Sequence, residues 1–156
     1  MQISPVFLKL SSKLGSNHLL VQGAGGNTSI KYNKVMWIKA SGAWLLDSVN
    51  KNIFVPVDAE KIRVGISSFS ENPLKGVLLE KTSLRPSIET TLHALMPHRI
   101  VIHTHPVELL AWLVLEDGKK MLNDLLNFKS WAWVDYVRPG LELANAAQTA
   151  LKKNNS

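Results

Sequence analysis

Two alternating runs, Thr28–Tyr32 and Val35–Lys39, are separated by Asn33 and Lys34 alone. A connection that short closes an antiparallel hairpin, because a parallel pair needs a crossover of about a dozen residues or more. The chain must therefore build a sheet whose early strands run antiparallel. The remaining patterns fit around that pair. The opening MQISPVFLKLSSKLGSNHLL reads as a short amphipathic helix ending near Gly15, and it lacks the long apolar core and cleavage site of a signal peptide. Asn52–Asp58 is a further short strand, broken by Pro56, and Asp58–Lys81 carries weak signals. RPSIETTLHALMP predicts a helix with Pro86 in its first turn, Ile88, Leu92 and Leu95 on one face, and Pro97 closing it. VELLAWLVLEDGKKMLNDLLN supplies one or two helices around Gly118. WAWVDYVRPG is strand-like, and LELANAAQTALKKNNS starts as a helix and ends polar. With no repeat or low-complexity tract, the expectation is one domain over residues 1–156. Its fold would be an α/β (α+β) sandwich with a central, mostly antiparallel sheet flanked by helices.

Composition narrows the chemistry. At 46% hydrophobic and 19% charged, the 156 residues are those of a globular protein. There is no cysteine, so disulfides and thiolate metal sites are excluded, and any metal must be held by histidine and carboxylate. The same absence fits a cytoplasmic location. LLAWLVL, Leu109–Leu115, is too short to span a bilayer, so no membrane partner is expected. The net charge of +6 comes from scattered lysines, with doublets only at Lys119–Lys120 and Lys152–Lys153. Without an arginine-rich or aromatic-interleaved element this argues against nucleic acid. A modest positive charge serves as well to attract a small anionic substrate.

The stretch RIVIHTHP, Arg99–Pro106, places two histidines at the end of an apolar run. In a strand, residues i and i+2 share a face, so His103 and His105 would stand side by side with Thr104 turned away. Pro106 ends the strand there. Paired neutral imidazoles suit a zinc ion; the plainer account is two surface histidines bonded to neighbours. The second constellation is GAGGNTS, Gly23–Ser29, whose glycines allow a tight turn and close approach of backbone N–H groups to an anion. No Gly-Lys-Ser/Thr follows, so it is not a P-loop, and the plainer account is a hairpin entry. A similar small loop, Ala40–Trp44 (ASGAW), follows the next strand, which brings two glycine turns toward one end of a sheet.

Taken in order, QGAGGNTSIK, WIKASG, RPSIETTLH and HTHP resemble the class II aldolase/adducin family over about Leu20 to Gly140. That family contains zinc-dependent aldolases cleaving sugar phosphates such as fuculose 1-phosphate and rhamnulose 1-phosphate. The chain is most similar in flavour to the aldolase-like domain of rhamnulose-phosphate aldolase/dehydrogenase fusions. The resemblance implies a lyase that uses Zn²⁺ or another divalent metal and a phosphorylated sugar. Gly26, Asn27, Ser41, Gly42 and Ser87 would receive the substrate phosphate. Glu89 would be the acid/base, its pKa raised by burial, and His103 and His105 would bind metal. Without the motif order, Glu89 would pass for a helix-surface residue near an N-terminus. His93 is expected to pack or orient a neighbour, and His98 and His18 to lie in loops.

Two departures from the family pattern stand out. No histidine follows His105, although the family's third zinc histidine lies later in a His-Gly motif, and Ile88 replaces the second of two serines. The expectation is either a piece of a longer polypeptide lacking the family's C-terminal part, or a shortened member with weakened chemistry. A sugar-phosphate 4-epimerase and a non-catalytic adducin-like interaction domain are the alternatives. The family also implies a homotetramer with sites between subunits.

Overall fold

The computed structural model describes residues 2–126 and 130–154. The chain runs α1 (Pro5–Gly15), β1 (Asn27–Tyr32), β2 (Val35–Lys39), a 3-10 turn (Leu45–Val49), β3 (Phe54–Asp58) and α2 (Ala59–Ser67). It continues with α3 (Thr90–Leu95), β4 (Ile100–His103), α4 (Val107–Leu113), α5 (Gly118–Leu125) and α6 (Leu141–Asn154). The four strands form one sheet in the order β3-β2-β1-β4, with every neighbouring pair antiparallel. The hairpin closes at Asn33–Lys34 as expected, with Asn33 in the left-handed region at φ 54°.

The pleat sorts side chains onto two layers. Met36 and Ile38 of β2 and Val55 and Val57 of β3 pack with Ile62 and Ile66 of α2 and Ala94 of α3. On the opposite face Ile30 and Phe54 pack with Phe7 of α1, the two phenyl rings 5.2 Å apart between centroids. This is the sheet between helical layers that the sequence implied. Among the described residues no helix is long and apolar enough to cross a membrane.

Several local expectations need correction. Pro56 does not break its strand: β3 lies at the sheet edge, where a residue without an N–H costs no interior ladder bond, and Pro56 stands opposite Trp37. The weakly patterned segment after Asp58 contains α2, whose first turn is capped by the Asp58 carboxylate accepting from the Lys61 N–H at 2.9 Å. The helix expected from Pro86 begins only at Thr90. Residues 85–87 instead run along the end of β2: Pro86 bridges Ala40, and Ser41 N–H donates to Arg85 O at 2.8 Å. Ile88 consequently points outward and is 62% exposed. The strand expected at WAWVDYVRPG does not form; among the described residues 130–138 pairs with no strand that would complete its backbone bonds. Around Gly118 there are two helices, and a Cβ at that glycine would fall 1.9 Å from Trp112 O.

Candidate active site

β4 ends at His103, which pairs directly with Asn27 of β1. His105 lies beyond the ladder, its N–H donating to Leu20 O at 2.8 Å. The two rings therefore do not stand parallel on one strand. They meet edge-on, 4.8 Å between centroids with planes at 68°.

The helix that follows the 85–87 segment brings Glu89 to the same point. Glu89 stands at the N-cap position of α3, its side chain turned to the cavity instead of capping the helix, and is 7% exposed. Its Oε2 accepts from Asn27 Nδ2 and from His103 Nδ1, each at 2.5 Å. A carboxylate only accepts, so Nδ1 of His103 carries the proton of that bond and a neutral ring keeps its lone pair on Nε2. This is the tautomer a metal-binding histidine adopts when a carboxylate orients it. Burial pushes the Glu89 carboxyl up, but the hydrogen bonds from His103 and Asn27 and the nearby imidazoles outweigh it. The net shift is below the ordinary carboxylate value, which corrects the expected upward one.

One turn along α3, His93 is fully buried and its Nδ1 bonds to Ser29 Oγ at 2.7 Å. Helix positions 89 and 93 thus meet strand positions 27 and 29, a one-turn step set against a two-residue step. Burial first, and then the proximity of His103, lowers the His93 pKa to about 3. The ring is neutral and orients the helix, as expected. His105 is also shifted down, first by burial and then by His103.

The glycines explain how the first loop passes under the histidines. At Gly26, φ is +61° and a Cβ would sit 2.9 Å from His103 O; at Gly25 it would sit 3.1 Å from His105 Nδ1. All of Gly26, Asn27, Ser41, Gly42, Ser87, Glu89, His103 and His105 line one cavity of about 260 Å³. Lys39, at the end of β2, lines it too and went unnoticed in the sequence. Its signal is a lysine closing an apolar strand two residues before Ser41–Gly42. Lys39 is 2% exposed, and burial lowers its pKa to about 8 against the opposing pull of Glu89.

The donors for a cation are incomplete. His103 and His105 are close enough to serve one ion, but no group of three histidine or carboxylate side chains among the described residues is placed to hold a metal. Asn27 Oδ1 is buried in the same place without a partner.

The antiparallel sheet and its flanking helices are those of a known class of protein. Residues 7–156 match the Class II Aldolase and Adducin N-terminal domain, and the chain belongs to that family. It is 31% identical over 160 residues to the protein called uncharacterized oxidoreductase YuxG from Bacillus subtilis (strain 168). That alignment covers 92% of this chain and 23% of YuxG, so the chain spans about a quarter of the relative's length. A solved N-terminal class II aldolase domain of a conserved protein from Thermoplasma acidophilum superposes with a TM-score of 0.78 at 23% identity. The superposition covers 96% of this chain and 76% of that one, and establishes the shared fold.

Proposed function

We propose that this domain is a metal-dependent, aldolase-type lyase that cleaves a phosphorylated ketose. The observation that carries the reading is the meeting of Glu89, His103 and two glycine loops in one cavity. In retro-aldol cleavage a base takes the proton of the hydroxyl β to the carbonyl, and the hydroxyl oxygen becomes an aldehyde. The bond between the α and β carbons breaks, and its electron pair passes to the carbonyl oxygen as an enediolate that is then protonated on carbon. Glu89, held ionised, is the proton acceptor, and Asn27 keeps its carboxylate aimed. His103 and His105 would hold Zn²⁺ or another divalent ion, which when bound supplies Lewis-acid stabilisation of the developing oxyanion. Gly26, Asn27, Ser41, Gly42 and Ser87 surround the place where the substrate phosphate would sit.

The same reading takes residues 1–156 as one domain, working in the cytoplasm as a homotetramer with sites between subunits. The incomplete donor set favours a second reading, a non-catalytic adducin-like interaction domain. A panel of ketose 1-phosphates with added Zn²⁺, followed by release of a triose phosphate, separates the two. Cleavage that depends on metal and Glu89 supports the lyase; absence of cleavage across the panel, with and without metal, supports the interaction domain.

A further inference from the structure

Lys39 touches three of the backbone segments that line the cavity. Its Nζ donates to Ala24 O in the first glycine loop at 3.0 Å and to Ala43 O beside the second at 2.6 Å. A longer contact of 3.5 Å reaches Ala40 O. Its own carbonyl accepts from Ser87 N–H at 3.2 Å, tying in the segment that leads to Glu89. An ammonium has three hydrogens and no lone pair, so carbonyls arranged around it satisfy it fully. No carboxylate lies within ion-pair distance of it among the described residues. A buried cation without a contacting counter-ion is costly unless its neighbours are oriented for it.

The loops it joins need such a tie. Gly23, Gly26 and Gly42 all have positive φ, and glycine-rich backbone loses the most freedom on ordering. A loop ordered before the ligand arrives spares the complex that entropy. We propose that Lys39 is a positioning residue: its ammonium ties the 23–26 loop to the 41–44 loop and holds them as one anion site. This rests on the phosphate reading given above. The alternative role, a plain positive charge for the ligand, asks only that position 39 be cationic.

Arginine separates the two roles, because it keeps the charge but its planar fork cannot gather three carbonyls about one nitrogen. Amide hydrogen exchange is read at Gly25, which bonds Gln22 O, and at Ala43, which bonds Ala40 O. Met36 and Ile38 report the sheet, and binding is measured with inorganic phosphate. In both Lys39→Met and Lys39→Arg, exchange should quicken at Gly25 and Ala43 together while the sheet stays protected. Phosphate affinity should fall by about tenfold or more, because the loosened glycine loops must then be ordered when the anion binds. Wild-type affinity in Lys39→Arg, weaker phosphate binding with undisturbed loops, or loosening of one loop alone would overturn the proposal. If the variants lose the sheet, the wild type decides: bound phosphate must slow exchange at both loops, and slowing at one alone refutes the coupling. A wild type that binds no phosphate refutes the anion site itself, and the coupling then stands or falls on exchange in Lys39→Met.

Discussion

Glu89 and His103 meet side chain to side chain at 2.5 Å, one at the start of α3 and the other at the end of β4. The turn of helix and short loop between them return the chain so that an acid and an imidazole face each other inside the cavity. Asn27 donates to the same carboxylate oxygen from the neighbouring strand. The carboxylate is thereby held ionised, and the imidazole is held in one tautomer.

Glu89→Gln tests the acid/base role. The amide oxygen can still accept from Asn27 and His103, but the group no longer takes a proton. Retro-aldol turnover should fall by roughly 10²–10⁴ while thermal stability changes little. Turnover within a few-fold of wild type would reduce Glu89 to an orienting role.

Metal content tests the histidine pair. Two imidazoles bind zinc less firmly than the three protein ligands of an ordinary catalytic site. The chain should therefore take up zinc in micromolar solution and lose it on dialysis, and His103→Ala and His105→Ala should each abolish uptake. Equal zinc in wild type and both variants, measured by elemental analysis, would remove these residues from the site.

His93 should make stability depend on pH. Its folded pKa of about 3 lies below the ordinary 6.5, so between those values the unfolded chain binds the extra proton. Stability is fully present above 6.5 and drains away as pH falls toward 3. Between pH 7 and pH 5 the loss should be about 2 kcal/mol, read from urea midpoints. His105, also shifted down but more exposed, adds a smaller effect of the same sign. Glu89 adds a loss of that sign below its ordinary range, which leaves the window above pH 5 to the histidines. His93→Gln should flatten most of the slope; an unchanged slope would show that His93 titrates normally in the fold.

Gly26→Ala and Gly42→Ala separate backbone strain from steric conflict. Both glycines have positive φ, which costs an alanine about 1 kcal/mol. A Cβ at Gly42 meets nothing within 4 Å, whereas at Gly26 it falls 2.9 Å from His103 O. Gly26→Ala should therefore be clearly the more destabilising in urea denaturation and should also weaken zinc uptake. Equal costs would mean that the His103 strand moves aside freely.

Much of this was readable in advance where the signal is local. The Asn33–Lys34 turn sets the hairpin because two residues leave room for no other pairing. α1 shows its amphipathic period, and Gly118 marks the break between α4 and α5. α2 was missed although Ala59, Ile62 and Ile66 keep a helical period and Asp58 caps it. The loop residues that follow diluted that signal. At RPSIETTLHALMP the local pattern was helical from Pro86 onward, yet the end of β2 claimed residues 85–87 by backbone bonds.

The sequence by itself determined the kinds of groups available to this protein. It supplied histidine and carboxylate without cysteine, two glycine turns, and an antiparallel hairpin to hang them on. Residue type and spacing within a few positions decide such features. Only the tertiary structure decided that Glu89 bonds His103, that its carboxyl shifts down rather than up, and that Lys39 reaches from β2 to both loops. Those outcomes depend on which groups from distant segments share a buried space, where hydrogen bonds to an ionised group can outweigh the cost of removing it from water.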